Sequence, residues 1–313
     1  MLRGPVFFRT FFMPDPTTDH PRPDADAPPF LLPVTAALFA ERAERFAALA
    51  EGHSLGDWLA LLARLSRAQQ HALGALPELP LPDAAAVAQA AAHGMPPLDP
   101  AARPPVWRDA LRAIAGELLA AAPPGAQAAL QSLLAASDAE LERLADALLD
   151  GQAAMGDGAR LPFIAAALQV VHTQLASRLD AGGLRKLEAA NVCPCCGNPA
   201  VASIVRLGTV IDKLRYLHCS LCNSEWNVPR AVCTSCGGDK ELALQDIDGR
   251  PGAVCAETCD ACKSYLKIVR QDKDPRVDPV ADDLATLSLD LLLDEAGYQR
   301  AGPNLLLTGA HGD

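Results

Sequence analysis

Cys193-Pro194-Cys195-Cys196-Gly197 opens a stretch that closes on Cys259-Asp260-Ala261-Cys262, and all ten cysteines of the 313-residue chain lie within it. Eight of them form four C-x-x-C pairs: Cys193/Cys196, Cys219/Cys222, Cys233/Cys236 and Cys259/Cys262. The last two pairs repeat the first two at an offset of forty residues, short enough to be one supersecondary unit. One small module is therefore written twice.

Two residues between cysteines let a tight turn aim both sulfurs at one point about 2.3 Å away, and a second such turn completes a tetrahedral four-thiolate metal site. Gly197 and Gly237 each follow the second cysteine of a knuckle, where glycine tolerates the positive φ that such turns need. Pro194 pre-sets φ inside the first turn. The pairs can combine as neighbours, nested or crossed. A duplicated unit that spans both of its own pairs favours neighbours. One site then takes Cys193, Cys196, Cys219 and Cys222, and the other Cys233, Cys236, Cys259 and Cys262.

Further residues keep the same offset: Val192 with Val232, Ser224 with Ser264, Trp226 with Leu266 and Val228 with Ile268. Trp226 and Val228, like Leu266 and Ile268 around Lys267, read as one-sided strands leaving the second knuckle. This is the plan of a rubredoxin-like or zinc-ribbon module. A module this small cannot bury enough apolar surface alone, so the plainest role of each site is to staple the fold. A site whose metal chemistry matters is the alternative. Four sulfurs suit iron and zinc alike, so two metal ions are expected, one per site, of either element. Cys195 and Cys255 have no counterpart at the offset and read as incidental thiols, or as redox-active or substitute ligands.

Thiols spaced as metal knuckles point to a reducing compartment and a cytoplasmic protein. The net charge is −11, and between Asn191 and Arg270 nine Lys or Arg face eight Asp or Glu, before any thiolate is counted. That balance supplies no phosphate-binding surface, so nucleic acid is not an expected partner. Tyr216, Trp226 and Tyr265 are expected in core contacts rather than in base stacking. No run of about 18 apolar residues is present, so no membrane insertion is expected.

The chain before the cysteines is a different material, rich in alanine and leucine. Residues 1–33, with their Pro- and Asp-rich part from residue 14, are expected to be largely disordered. Helical patterning then runs over 34–185 and predicts one α-helical bundle domain. A helix begins near Val34, and Ser54 with Asp57 suggests the cap of a second that carries Trp58, Leu61, Leu62 and Leu65. An alanine-rich helix follows near 83–93. Trp107, Leu111, Ile114 and Leu118 share a face, Ser137 and Glu140 form a capping box, and Leu161 to Leu179 reads as a buried helix with His172 packed in it. His53 reads as a loop residue. His218, beside Cys219, is either a donor to the site or a plain strand residue.

The first metal module is expected over 190–230, the second over 231–272, and a C-terminal helix with its tail over 273–313. That helix spans Ala281 to Glu295, with Asp282 and Asp283 in its first turn, where the helix dipole favours anions. The fold class is α plus small β. No phosphate loop, G-x-S-x-G elbow or Ser/His/Asp order is present, so catalysis is not expected and no catalytic residue is assigned.

The run RYLHCSLCNSEW from Arg215 to Trp226 and CPCCG from Cys193 to Gly197 resemble the FdhE family of formate dehydrogenase accessory proteins. SLGDWL at Ser54 to Leu59, GMPPLDP at Gly94 to Pro100 and KDPRVDPVADDLA at Lys273 to Ala285 extend the resemblance over most of the chain. It implies a cytoplasmic protein, helical at its N-terminus with two rubredoxin-like modules, required for active respiratory formate dehydrogenase. The implied partner is the catalytic subunit of that enzyme, contacted before export by the twin-arginine route. The eight paired cysteines take the place of the family's iron or zinc ligands, whereas Cys195 and Cys255 depart from its pattern. The sequence thus reads as a maturation factor, with an iron-thiolate redox or thiol-exchange protein acting on the same client as the alternative. It leaves oligomeric state open.

Overall fold

The computed structural model describes residues 8–12, 27–208, 213–247 and 252–307. Between residues 38 and 177 the chain forms seven helices: α1 (Leu38–Ala50), α2 (Gly56–Ala75), α3 (Ala84–Ala92), α4 (Trp107–Leu119), α5 (Pro124–Ala135), α6 (Asp138–Leu149) and α7 (Leu161–Ser177). In α4 the residues Trp107, Leu111, Ile114 and Leu118, spaced three or four apart, are all buried, as their common face requires. Ser137 caps α6 by accepting a hydrogen bond from the Glu140 amide at 3.2 Å. α7 buries 14 of its 17 residues, which makes it the central helix with neighbours on every side. Its His172 is a packed core residue whose Nδ1 lies 2.9 Å from the Leu168 carbonyl.

Local signals misplaced some helix ends. α1 starts at Leu38 rather than near Val34. Ser54 does not cap α2, which begins at Gly56 after Leu55 and has no side-chain cap; instead His53 Nδ1 accepts from the Leu55 amide at 3.0 Å. Of the N-terminal stretch expected to be disordered, Phe8–Phe12 forms strand β1 and Phe30–Leu31 forms β2; residues 1–7 and 13–26 lie outside the described residues.

The two modules supply β3 (Ala200–Arg206), β4 (Leu214–Cys219) and β5 (Glu225–Asn227), then β6 (Leu242–Ile247), β7 (Val254–Cys259) and β8 (Ser264–Arg270). Each module is a three-stranded antiparallel meander, and β7 repeats β4 at the forty-residue offset. The copies are not separate lobes. β3 and β8 pair in parallel, with Ser203 opposite Ile268 and Val205 opposite Arg270, so both modules lie in one sheet of order β1-β6-β7-β8-β3-β4-β5-β2. The segment Gln299–Arg300 adds β9 alongside β8.

Alternation predicted an open face around Lys267, yet every residue of β5 is buried and Lys267 is only 1% exposed. For Lys267 the C-terminal segment explains it. In place of one helix over 281–295 the chain makes α8 (Ala281–Leu284) and α9 (Leu287–Glu295), parted at Ala285 and Thr286. Lys267 Nζ donates to the Asp283 carbonyl at 2.8 Å, to the Thr286 carbonyl and hydroxyl at 3.1 Å, and to Asp290 Oδ2 at 2.5 Å. A buried ammonium satisfied this fully becomes the anchor of the helices that cover it. Asp282 and Asp283 are correspondingly not bare helix-start anions. Asp282 pairs with Arg45 at 2.5 Å, and Asp283 pairs with Lys267 at 3.3 Å and Arg300 at 2.6 Å.

Candidate metal centres

The sulfurs of Cys193, Cys196, Cys219 and Cys222 form one set and those of Cys233, Cys236, Cys259 and Cys262 a second; within each set they lie within 4.8 Å of one another. The chain brings neighbouring pairs together, and no cysteine of one module joins the set of the other. The first cysteine of each set approaches the fourth: Cys193 to Cys222 at 3.6 Å and Cys233 to Cys262 at 3.8 Å. The second approaches the third: Cys196 to Cys219 at 3.5 Å and Cys236 to Cys259 at 3.8 Å. A tetrahedron with metal–sulfur bonds of about 2.3 Å has edges of about 3.8 Å, whereas a disulfide needs about 2.05 Å. The spacing suits a shared ion.

The local backbone supports this. Gly197 and Gly237 take φ of 77° and 75°, the left-handed conformation that closes each first knuckle. In the second knuckles Asn223 and Lys263 take the matching positive φ of 59° and 56°. Protonation points the same way. Burial pushes the Cys193 and Cys196 thiols well above their ordinary value. At Cys222 burial is outweighed by hydrogen bonds from Cys193, Cys195, Cys196 and Cys219, which pull it well below. A divalent ion at the centre would supply the positive charge that favours the thiolate form of the cysteines around it.

The two sets sit in different surroundings. All four cysteines of the first are buried within the same apolar core as the helices. α7 reaches over them: Gln169 Nε2 donates to the Ser220 carbonyl at 2.8 Å, and Thr173 Oγ1 accepts from Asn223 Nδ2 at 2.8 Å. The Leu98 amide donates to the Cys195 carbonyl at 3.0 Å, which ties the GMPPLDP segment to the first knuckle. In the second set Cys236 and Cys262 are exposed. Cys262, where hydrogen bonds from Ser264, Cys236 and Cys259 outweigh burial, is lowered to about 7.

The leftover thiols differ. Cys195 is buried beside the first set, and its backbone amide donates to Cys193 Sγ at 3.4 Å. Cys255 belongs to neither set, lies opposite Ile268 in the β7–β8 pair, and is pushed up to about 12 by burial, which makes its thiol inert at neutral pH. His218 engages both ring nitrogens away from sulfur, with Glu225 at 2.9 Å and Asn223 at 3.1 Å.

That histidine lines a cleft of about 930 Å³ between α1, β2 and the segment around Asp278. Arg42 crosses the same cleft, bonded to Asp278 at 3.1 Å and Asn223 at 2.8 Å. Sequence reasoning missed Arg42, although its place on the apolar stripe of Phe39, Ala43 and Phe46 was the available signal.

Comparison with known proteins closes the question of kinship. Residues 27–189 match the family described as FdhE, N-terminal, residues 192–230 the FdhE central domain and residues 231–307 the FdhE C-terminal domain. The chain belongs to the FdhE family. It is 44% identical over 282 residues to the FdhE homolog of Edwardsiella ictaluri, covering 89% of this chain and 91% of that one. To the FdhE homolog of Pseudomonas aeruginosa it is 41% identical over 290 residues, covering 90% and 94%. A crystal structure of the FdhE protein from Pseudomonas aeruginosa superposes with a TM-score of 0.81 at 38% identity, over 91% of this chain and 99% of that one. Among the described residues of this FdhE family member no helix is long and apolar enough to cross a membrane.

Proposed function

We propose that this FdhE family member is a cytoplasmic, non-enzymatic maturation factor for respiratory formate dehydrogenase, which binds the immature catalytic subunit before export. The observation that carries the reading is family membership along 27–307, helical and metal-module regions alike, which makes the whole surface that of an FdhE protein rather than of an isolated zinc ribbon. Within it, two metal ions, iron or zinc, would be held one per four-cysteine set. They supply the charge that deprotonates the thiols and cross-links each pair of knuckles. Holding a client until its assembly is complete requires tighter binding to the immature than to the mature subunit.

Capture of the tagged protein from cells respiring formate tests this directly. The catalytic subunit should co-purify, in greater yield when its cofactor supply is blocked. Recovery of no catalytic subunit under either condition would sink the proposal.

The exposure of Cys236 and Cys262 favours one second reading, an iron-thiolate redox or thiol-exchange protein acting on the same client. An iron-thiolate absorption band that bleaches and recovers reversibly would support it; a colourless protein holding two zinc ions would exclude the iron-thiolate form.

A further inference from the structure

The two four-cysteine sets are copies in spacing, in sulfur geometry and in the left-handed residues of their turns, so any difference in behaviour must come from their surroundings. Those surroundings diverge at matching positions. Between the cysteines of the first set stand Pro194, Cys195, Ser220 and Leu221, all buried. Their counterparts at the forty-residue offset are Thr234, Ser235, Asp260 and Ala261, of which Ser235, Asp260 and Ala261 are exposed. The residue after each second knuckle changes likewise, from buried Asn223, tied to α7, to exposed Lys263. Cys233 and Cys259 share a small apolar cluster with Leu242 alone, whereas the first set lies in the main core.

We infer that the second site exchanges its metal ion with external thiolate donors, while the first keeps its ion as a permanent staple. The inference rests on the reading that both sets hold metal. Replacing a thiolate on a tetrahedral ion requires an incoming donor to reach it. At the second site Cys236 and Cys262 present that face to solvent with no unfolding. At the first site the donor must wait for the core between α7 and the knuckles to open, and core openings are the rarest local unfolding events. Exchange is a ligand substitution without electron transfer. With an ion held there, incoming thiolates would replace Cys236 and Cys262 first and then Cys233 and Cys259, and the freed cysteines would take up the protons that the incoming thiols release.

The test uses the full-length protein loaded with zinc, its stoichiometry fixed by elemental analysis. A chromogenic zinc chelator and, separately, a small dithiol are added, and iodoacetamide marks each cysteine as it is freed. Release should come in two phases of one ion each, the first faster by on the order of tenfold or more. Label should appear on Cys233, Cys236, Cys259 and Cys262 before it appears on the first set. In Cys236→Ser/Cys262→Ser the fast phase should vanish and the slow one persist. Release of both ions in one phase, or earlier labelling of Cys193, Cys196, Cys219 and Cys222, would overturn the inference. Protein that retains no metal at either set would overturn the metal-centre reading beneath it, an outcome the initial stoichiometry separates from the others.

Discussion

Arg215 on β4 and Glu257 on β7 form a two-pronged ion pair across the module boundary, with Nη2 and Nη1 at 2.8 and 3.0 Å from the carboxylate oxygens and both side chains buried. Nε of the same guanidinium donates to Ser203 Oγ at 2.7 Å, on the strand that joins the copies through β8. Because β3 and β8 lie between the partners in the sheet, the pair fixes one module's twist against the other's.

Removing one partner should therefore cost more than removing both. Arg215→Met leaves a buried carboxylate unpaired and should lower stability by about 3–5 kcal/mol; Arg215→Met/Glu257→Leu should recover most of that loss. Urea denaturation of the three proteins checks the ordering. Equal losses in the single and double variants would mean that the pair is not desolvated as the structure shows.

Serine replacement in the two sets should separate the modules' roles. Cys219 lies in the core that includes α7, so Cys219→Ser should remove the first ion and lower the thermal midpoint of the helices as well. Cys259→Ser should empty the second site and leave the helical transition within a few degrees of its original position, as its cysteine packs in a separate small cluster. Circular dichroism at a helical wavelength, with metal content measured on the same samples, distinguishes the two. An equal shift in both variants would contradict this division.

The cysteine spacing made the two four-cysteine sets and the duplication legible, because a knuckle turn is a local constraint that a few residues can express. The helical stripes were legible for the same reason: Trp107, Leu111, Ile114 and Leu118 carry their own period. What escaped was decided by distant partners. Nothing near Lys267 shows that α8 and α9 will cover it, and nothing in the offset shows that β8 will pair with β3 rather than leave the modules apart. The place of Arg42 on the stripe of Phe39, Ala43 and Phe46 signalled its burial, but not its partner Asp278, 236 residues away. The break of the C-terminal helix at Ala285 and Thr286 goes with Lys267, which takes the Thr286 carbonyl and hydroxyl as partners.

Glu225 gives the pH dependence a sign. Burial alone would raise its carboxyl, but Arg206 at 2.5 Å and His218 at 2.9 Å bring it down to about 2 from its ordinary value of 4.5. A depressed carboxylate contributes stability that is fully present above pH 4.5 and is lost as pH falls toward 2, amounting to about 3 kcal/mol. Glu225→Gln cannot titrate, so its deficit relative to the original protein should be largest near neutrality and shrink between pH 4.5 and 2. Denaturation curves at stepped pH, compared at equal metal content, measure it. A deficit unchanged across that window would rule out the ion pair as the source.

Two glycines should respond to alanine with opposite signs. At Gly302, beyond β9, a Cβ would stand 1.8 Å from the Ala200 carbonyl oxygen at the start of β3, a backbone atom that cannot swing aside. Arg300 Nε also holds the Gly302 carbonyl at 2.7 Å, which prevents the tail from sliding away. Gly302→Ala should cost about 1–3 kcal/mol through overpacking and loosen the C-terminal segment from the sheet. At Gly74, inside α2, an added Cβ meets nothing within 4 Å. Gly74→Ala should instead stabilise by about 0.5–1 kcal/mol, since alanine loses less backbone freedom in a helix. Thermal melts of both variants decide the matter: a Gly302→Ala protein as stable as the original would mean that the tail does not cross β3 where the structure places it.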